Sequence, residues 1–309
     1  MTNQGAAAGA EGRRKKQGVE TSTLLLLGNL NFPLQPEYYL YPMTDYLKLA
    51  AEVGEITRLA GAAIMEIYAT EDFGVEHKAD NSPLTRADKA ANDVIVAGLE
   101  ALDFQAPIIS EEGKEMDYAT RSEFTRFWLV DPLDGTKEFI KRNGDFTVNI
   151  ALVENGKPIL GAVYVPVTNE LFYSAPGLGA WEVKEAGGKP SRVFAAAFTL
   201  QDVNLRIVAS RSHLNQETQD FINKFDRPEL VQRGSSLKIM ELARGSAHVY
   251  PRLAPTMEWD TGAAHAILLE AGGKLVDDGT GKELRYNKES LLNPHFIAYG
   301  KVREELLAC

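Results

Sequence analysis

The sequence predicts a layered α/β fold with mixed sheets, and three observations support this prediction. Residues 46–68 and 87–102 show the apolar spacing of helices. Short apolar runs with the period of strands follow between residues 107 and 183, and strand and helix patterns alternate from residue 205 onward. Helices and sheets must bury their apolar faces against one another, so this order of elements favours packed layers.

The first two elements are predicted to be amphipathic helices. In residues 46–68, apolar side chains from Leu47 to Ile67 recur at three- and four-residue spacing, which is typical of a helix with one buried face. After a turn signal at Pro83, residues 87–102 repeat this spacing. We expect two antiparallel helices that pack together.

The period of the sequence then changes to that of strands. Residues 107–110 and 127–130 are apolar runs followed by acidic residues, a pattern typical of buried strands. An antiparallel meander is predicted for the next four runs, at residues 146–153, 159–165, 170–174 and 180–183. The last third is predicted to contain a strand at 205–209 and helices at 216–225, 237–243 and 260–271.

Composition and charge restrict the class of function. The chain has 309 residues, 44% hydrophobic and 25% charged, with a formal net charge of −10. This charge argues against binding to a nucleic-acid backbone, which needs clustered lysine and arginine. A small phosphorylated ligand stays compatible if metal ions screen the carboxylates around it. The only cysteine, Cys309, excludes an intrachain disulfide and a cysteine-based zinc cluster, in keeping with a reducing compartment.

Residues 1–42 differ in composition from the rest and are expected to be a poorly ordered extension. Their apolar run is broken by Gly28 and Asn29, which argues against a secretory signal. A leader, a linker and a mis-assigned start before Met43 all remain open. No run reaches the ~20 apolar residues of a membrane span. A cytoplasmic location is therefore expected, with peripheral attachment to the inner membrane left open.

An acidic turn after the strand at 127–130 is the most informative feature. Pro132 fixes its own φ, and Gly135 tolerates conformations that other residues resist, so the bend is defined. Asp131 and Asp134 can then converge on one point, and the carbonyl of Leu133 can add a third oxygen. Oxygen ligands of this kind suit Mg²⁺. The alternative is an acidic turn at the surface.

Other acidic residues are candidates for the same site. Glu111 or Glu112 follows the strand at 107–110, and Asp260 precedes a helix pattern. Asp260 alone would equally fit a helix N-cap. Carboxylates gathered in this way repel one another unless cations join them.

A carboxylate cluster that holds Mg²⁺ suits phosphoryl transfer to water. The backbone N–H groups of Gly135 and Thr136 are expected to begin a helix and to point at a phosphate oxygen of the substrate.

Six segments together carry a resemblance to a known family: residues 78–88, 109–112, 128–143, 234–238, 250–252 and 259–261. They resemble the lithium-sensitive, metal-dependent phosphatases that include inositol monophosphatase, and within them the bacterial 3'(2'),5'-bisphosphate nucleotidases. The resemblance implies the α-β-α-β-α sandwich of the inositol monophosphatase (sugar phosphatase) fold. We expect an α+β half at 43–185 that holds the acidic turn and an α/β half at 186–309 that holds substrate.

The resemblance also implies roles for the acidic residues. Two or three Mg²⁺ ions are expected at a site whose protein ligands are the side chains of Glu111, Asp131, Asp134 and Asp260 and the carbonyl of Leu133. Asp88 is expected to pair with Thr136 to activate a metal-held water, with Glu111 taking part in catalysis. From the residues alone, Asp88 would be an exposed helix charge. Glu112 is expected outside the ligand set.

Substrate contacts are implied for Ser235, Lys238 and Arg252, which would hold a second phosphate, and for Asp260. His213 is a further candidate near the same pocket. The expected substrate is adenosine 3',5'-bisphosphate, with 3'-phosphoadenylyl sulfate as a second substrate. An inositol phosphatase and a catalytically silent metal-binding regulator are the alternatives. The sequence leaves a monomer and a homodimer equally open.

Overall fold

The computed structural model describes residues 43–77, 83–210 and 215–303. All of these residues belong to one compact unit. The N-terminal extension at 1–42, His213 and Cys309 lie outside the described residues. None of the helices in the described ranges is both long enough and apolar enough to cross a membrane.

The helices of the described residues vary in length from five to 26 residues. They are α1 (Met43–Tyr68), α2 (Arg86–Glu100), α3 (Tyr118–Ser122), α4 (Thr136–Ile140), α5 (Gln216–Ile222), α6 (Leu237–Ala243) and α7 (Glu258–Glu270). The predicted helices at 46–68, 87–102, 216–225, 237–243 and 260–271 correspond to α1, α2, α5, α6 and α7.

The strands form two large sheets and two small pairs. They are β1 (Glu76–His77), β2 (Pro83–Leu84), β3 (Ile108–Ser110), β4 (Arg126–Asp134), β5 (Thr147–Glu154), β6 (Lys157–Val165), β7 (Glu170–Ala175), β8 (Gly179–Val183), β9 (Ser191–Val193), β10 (Ala197–Phe198), β11 (Arg206–Ser210), β12 (Glu229–Arg233), β13 (Val249–Arg252), β14 (Lys274–Asp277), β15 (Phe296–Tyr299) and β16 (Lys301–Val302). The larger sheet has the order β3-β4-β5-β6-β7-β8-β9, and the smaller has β12-β11-β13-β15-β14.

The larger sheet contains the predicted meander. From β4 to β9 every neighbouring pair is antiparallel, and only the β3–β4 pair at one edge is parallel. The smaller sheet is mixed, with β11 parallel to β12 and β13, and β15 antiparallel to β13 and β14. The predicted meander is therefore confirmed.

The larger sheet is covered on both faces because its strands are apolar at successive positions. Successive strand side chains point to opposite faces. Trp128 and Val130 of β4 join one buried cluster with α1 and α2. Phe127 and Leu129 join another cluster with α6, α7 and the smaller sheet. Near-continuous apolar strands are what burial on both faces requires.

A third cluster completes the layers. On the smaller sheet, Ile207 and Val249 pack with Ile222 of α5. The order of layers is α1 and α2, the larger sheet, α6 and α7, the smaller sheet, and α5. The predicted α-β-α-β-α sandwich is confirmed.

The predicted end of the strand at Asp131 is wrong. The strand β4 continues to Asp134, with a register irregularity between the two residues. The sequence analysis also gave no individual position to β9 or to β12–β15. Strand β9 belongs to the larger sheet although it follows residue 185. The proposed boundary at 185/186 stays a prediction.

Helix α7 lies very close to the larger sheet. A Cβ atom built on Gly161 of β6 would lie 2.2 Å from the backbone oxygen of Ala263. This approach is possible only without a side chain on Gly161. It brings the second turn of α7 against β6 of the larger sheet.

Replacement of Gly161 by alanine should lower the free energy of unfolding by about 1–3 kcal/mol or more, the usual effect of overpacking. The added methyl group would overlap the Ala263 carbonyl. Urea denaturation would measure the change. Gly279→Ala is the control, since the nearest atom there is 3.4 Å from the added Cβ. Equal effects of the two substitutions would contradict the close approach.

Candidate active site

The acidic turn is a bulge in β4. Asp131 lies opposite Asn149 of β5, and Asp134 lies opposite Thr147, so β4 has one extra residue in this interval. The Oδ1 atom of Asp131 accepts a hydrogen bond from the backbone N–H of Leu133 at 3.1 Å. Bulges bend a strand and redirect its side chains. Here the bulge brings both acidic residues to the same end of the strand.

Gly135 ends the bulge and begins α4. Its φ is +97°, a left-handed conformation that favours glycine. Helix α4 starts at the next residue, Thr136. The expectation that a helix begins at this point is therefore confirmed.

Three carboxylates from different parts of the chain meet beside this bulge. Oxygens of Glu111, Asp131 and Asp260 all lie within 4.8 Å of one another. Glu111 directly follows β3, and its N–H donates to the Val130 carbonyl at 3.1 Å. Asp260 lies in the first turn of α7 and accepts a bond from the Met257 N–H at 2.9 Å. The alternative of an N-cap is wrong, because the N-cap of α7 is Met257 and Asp260 is the third residue of the helix, from which it stabilises the helix start.

The electrostatics of this trio fit a hard cation. Burial, followed by the charge of Glu111, raises the pKa of Asp131 well above its ordinary range. Burial, followed by the charge of Asp134, raises the pKa of Asp260 to about 8. Without a cation the trio resists full ionisation. An all-oxygen donor set of this charge is the set that Mg²⁺ takes.

Asp134 lies beside the trio, and its carboxylate is held by serines. Its Oδ2 accepts hydrogen bonds from the hydroxyls of Ser235 at 2.6 Å and Ser236 at 3.0 Å. Asp134 nevertheless lines the same cavity as the trio. The structure therefore brings Asp131 and Asp134 to one cavity but gives Asp134 a separate set of partners.

Asp88 and Thr136 are paired at the edge of the cavity. The Thr136 hydroxyl donates to Asp88 Oδ1 at 3.1 Å. Asp88 Oδ2 accepts from the hydroxyl and the N–H of Thr85 at 2.6 and 2.7 Å. Asp88 is 3% exposed, so its reading as an exposed helix charge is wrong. Burial raises its pKa, while the bonds from Thr85 oppose the rise.

Other predicted residues of this region can also be located. The carbonyl of Leu133 lies 3.4 Å from the Thr136 hydroxyl, and Leu133 lines the cavity. Glu112 is half-buried and is not in the trio. Trp259 is half-buried and lines the cavity wall.

Two adjoining cavities occupy the meeting point of the sheets and α7. The first, the acidic cavity, has a volume of about 450 Å³ and contains the trio with Asp134, Gly135 and Thr136. The second, the basic cavity, has a volume of about 200 Å³ and contains Lys238 and Arg252. Residues common to both are Asp134, Gly135, Lys137, Glu138, Thr256 and Asp260.

The basic cavity holds two cations whose donors are not fully used. Arg252 donates to the Pro255 carbonyl at 3.0 Å, while its Nε is buried and has no partner among the described residues. Lys238 lies over the Tyr250 ring, with Nζ 5.8 Å from the ring centroid. Burial lowers the pKa of Lys238 to about 8, and the nearby Asp134 opposes this shift.

Ser235 lines the basic cavity, but its hydroxyl is engaged with protein. It bonds Asp134 and lies 2.6 Å from the Thr147 hydroxyl. Ser236, Asn149 and Thr147 also surround Asp134, and the sequence analysis gave them no role. The only signal in the sequence was the Gly-Ser-Ser motif at 234–236, because the other contacts join distant parts of the chain.

Comparison with known proteins identifies the family. The model of the inositol monophosphatase family matches residues 47–308. The chain belongs to the inositol monophosphatase family. The predicted family and its fold are therefore confirmed, and metal dependence is a property of this family.

Several members of the inositol monophosphatase family are similar to this chain in sequence. The 3'(2'),5'-bisphosphate nucleotidase CysQ of Escherichia coli (strain K12) is 46% identical over 247 residues, covering 79% of this chain and 97% of the relative. The protein of the same name from Buchnera aphidicola is 42% identical over 255 residues, covering 81% and 93%. The crystal structure of CysQ from Bacteroides thetaiotaomicron superposes on this chain with a TM-score of 0.73 and a sequence identity of 46%. The match covers 86% of this chain and 100% of the CysQ chain.

The acidic site should make stability depend on pH when no metal is bound. The pKa of Asp260 is raised from 3.8 to about 8 on folding, so the folded chain holds that proton more tightly. In chelator, the free energy of unfolding should therefore be highest in acid and decrease as pH rises toward about 8. Saturating Mg²⁺ should flatten this decrease.

Urea denaturation between about pH 5 and pH 8, with EDTA or with Mg²⁺, would measure the dependence. Asp260→Asn should make the decrease in EDTA shallower. Asp117→Asn is the control, because Asp117 is exposed and its pKa is lowered by hydrogen bonds from Thr120. A slope in EDTA unaffected by Asp260→Asn would contradict the electrostatic strain in the trio.

Proposed function

We propose that the chain is a Mg²⁺-dependent phosphomonoesterase that converts adenosine 3',5'-bisphosphate to AMP and phosphate. The observation that carries this proposal is a pair of adjoining cavities, one lined mainly by carboxylates and the other containing Lys238 and Arg252. An acidic cavity suits a phosphate accompanied by cations, and a basic cavity suits a second phosphate that those cations do not reach. The relatives named 3'(2'),5'-bisphosphate nucleotidase support the same substrate class.

The acidic cavity would hold two or three Mg²⁺ ions. Glu111, Asp131 and Asp260 supply clustered carboxylate oxygens, and Asp134 and the Leu133 carbonyl complete the proposed ligand set. Bound Mg²⁺ would neutralise phosphate charge and lower the pKa of an attacking water.

The Asp88–Thr136 pair would orient that water and remove its proton. The Thr136 hydroxyl donates to Asp88, so its oxygen can accept a hydrogen bond from water. The water oxygen would bond to phosphorus as the ester bond breaks, while a proton passes from water to Thr136 and the Thr136 proton passes to Asp88. The departing 3'-oxygen would take a proton from solvent, and Asp88 would return its proton to solvent. Burial raises the pKa of Asp88, which favours its role as a proton acceptor.

The basic cavity would bind the 5'-phosphate. Lys238 offers a point charge and Arg252 offers directed donors, of which Nε has no partner in the described part of the chain. A phosphate here would favour the charged form of Lys238, whose pKa burial lowers. Gly135 and Asp260 would contact the substrate where the cavities meet, and Thr136 would contact it in the acidic cavity.

Several further expectations stay predictions. They are lithium sensitivity, action on 3'-phosphoadenylyl sulfate, substrate contact by His213, a cytoplasmic location and the oligomeric state. The two alternatives are an inositol phosphatase and a catalytically silent regulatory protein. The following experiments distinguish both from the proposed function.

The first experiment compares phosphate release from adenosine 3',5'-bisphosphate and inositol 1-phosphate. The nucleotide should be strongly preferred, and activity should disappear with chelator. Asp131→Asn should reduce kcat at least about 100-fold, because it removes a charge from the metal site. Preference for the inositol ester would overturn the substrate. No release from any phosphomonoester at saturating Mg²⁺ would favour a silent protein.

The second experiment tests the basic cavity. Lys238→Ala and Arg252→Ala should each lower kcat/KM for adenosine 3',5'-bisphosphate about 10- to 100-fold, the usual effect of losing a charged hydrogen bond. Hydrolysis of adenosine 3'-monophosphate should change little, because that substrate lacks the 5'-phosphate. Lys282→Ala is the matched control, since Lys282 is exposed and lines neither cavity. Equal losses on both substrates would contradict a 5'-phosphate site.

A further inference from the structure

A small group of polar side chains adjoins Asp134 at the boundary of the two cavities and is here called the serine network: Thr147, Asn149, Ser235 and Ser236. Thr147, Asn149 and Ser236 are at most 3% exposed. Burying polar groups is unfavourable unless hydrogen bonds compensate for the lost water. The partners of this network are other members of the network and two of the acidic residues common to both cavities, Asp134 and Asp260.

Ser236 lies between these two acidic residues. Its hydroxyl is 3.0 Å from the Asp134 Oδ2 carboxylate oxygen and 2.9 Å from the backbone carbonyl of Asp260. The Asn149 amide donates to the same hydroxyl oxygen at 3.0 Å. A serine hydroxyl has one hydrogen and two lone pairs. With Asn149 donating to the oxygen, its hydrogen is directed at Asp134 or at Asp260.

The atoms that meet at Ser236 come from four separate elements. Asp134 ends β4, Asn149 belongs to β5, Ser236 is the N-cap of α6, and Asp260 is in the first turn of α7. One hydroxyl thus connects two strands of the larger sheet with α6 and α7, the helices packed against that sheet. Moving α7 away from β4 would break the contact of the Ser236 hydroxyl with either Asp134 or Asp260.

Ser235 has a different role from Ser236. Its hydroxyl contacts the carboxylate and the backbone oxygen of Asp134, at 2.6 and 3.0 Å, together with Thr147. The structure shows no contact between this hydroxyl and Asp260 among the described residues. Ser235 therefore fixes Asp134 alone, whereas Ser236 relates Asp134 to Asp260.

We infer that Ser236, supported by Asn149, is a positioning residue that sets the spacing of Asp134 and Asp260 and thereby the cation affinity of the acidic cavity. This inference rests on the proposed metal-dependent function. Residues that orient metal ligands typically change metal affinity or activity 10- to 100-fold when removed. The inference concerns binding, so it can be tested without substrate.

The test measures the binding of Mn²⁺ to the full chain. The signal of the free ion in electron paramagnetic resonance gives the unbound concentration. Ser236→Ala should weaken binding about 10- to 100-fold, and Ser236→Thr, which keeps the hydroxyl, should recover most of the loss. Asn149→Ala should weaken binding less. The matched control is Ser174→Ala, since Ser174 is fully buried and its hydroxyl has no partner among the described residues.

The outcomes separate this inference from the proposed function. Parent-like binding by Ser236→Ala, in a chain that melts cooperatively, would overturn the inference and leave the function intact. If Ser236→Ala fails to fold, Asn149→Ala decides: weaker binding supports the inference, and unchanged binding overturns it. A loss as large in Ser174→Ala would also overturn it. Absence of Mn²⁺ binding in the parent chain would overturn both the inference and the metal-dependent function.

Discussion

Repulsion between carboxylates held in a water-poor site is the constraint around which the rest of this structure is arranged. Asp131 is 1% exposed, yet oxygens of Glu111 and Asp260 lie within 4.8 Å. Such a group is stable only when rigid elements hold it in place and cations or protons neutralise it. The two cores on either side of the larger sheet supply that rigidity, because β4 is packed on both faces.

The acidic residues depend on local irregularities of regular elements. The bulge in β4 redirects Asp131 and Asp134, and Gly135 allows the chain to turn into α4. Closeness of α7 to the larger sheet, made possible at Gly161, brings Asp260 into range. Each irregularity is small, but a regular strand or helix at the same position would place the carboxylate outside the site.

Sequence patterns predicted the long apolar elements well because burial on a sheet or helix face leaves a period. They failed where the period was absent. Strand β12 has mostly exposed and half-buried side chains, and β13 contains Pro251 and Arg252, so neither shows strand alternation. The continuation of β4 beyond Asp131 was missed because Pro132 and Gly135 are normally turn residues.

The candidate site was partly predictable for the same reason. Carboxylates that follow strands leave a visible pattern, so Asp131 could be found and the second ligand narrowed to Glu111 or Glu112, of which the resemblance selected Glu111. From the residues alone, Asp88 was indistinguishable from an exposed charge, because its partner Thr136 lies 48 positions away. The same holds for Ser236 and Asn149, which are 87 positions apart. The family resemblance predicted the Asp88–Thr136 pair but gave no prediction for the Ser236–Asn149 pair.

Asp134 and Asp260 form a wall common to both cavities, so the proposed occupants of the two cavities would be thermodynamically linked. A cation in the acidic cavity would cancel negative charge that otherwise repels an anion in the basic cavity. Linkage is reciprocal, so an anion beside Lys238 and Arg252 would tighten cation binding by the same factor. The cation affinity would then not be a single constant, because it would vary with the occupancy of the neighbouring cavity.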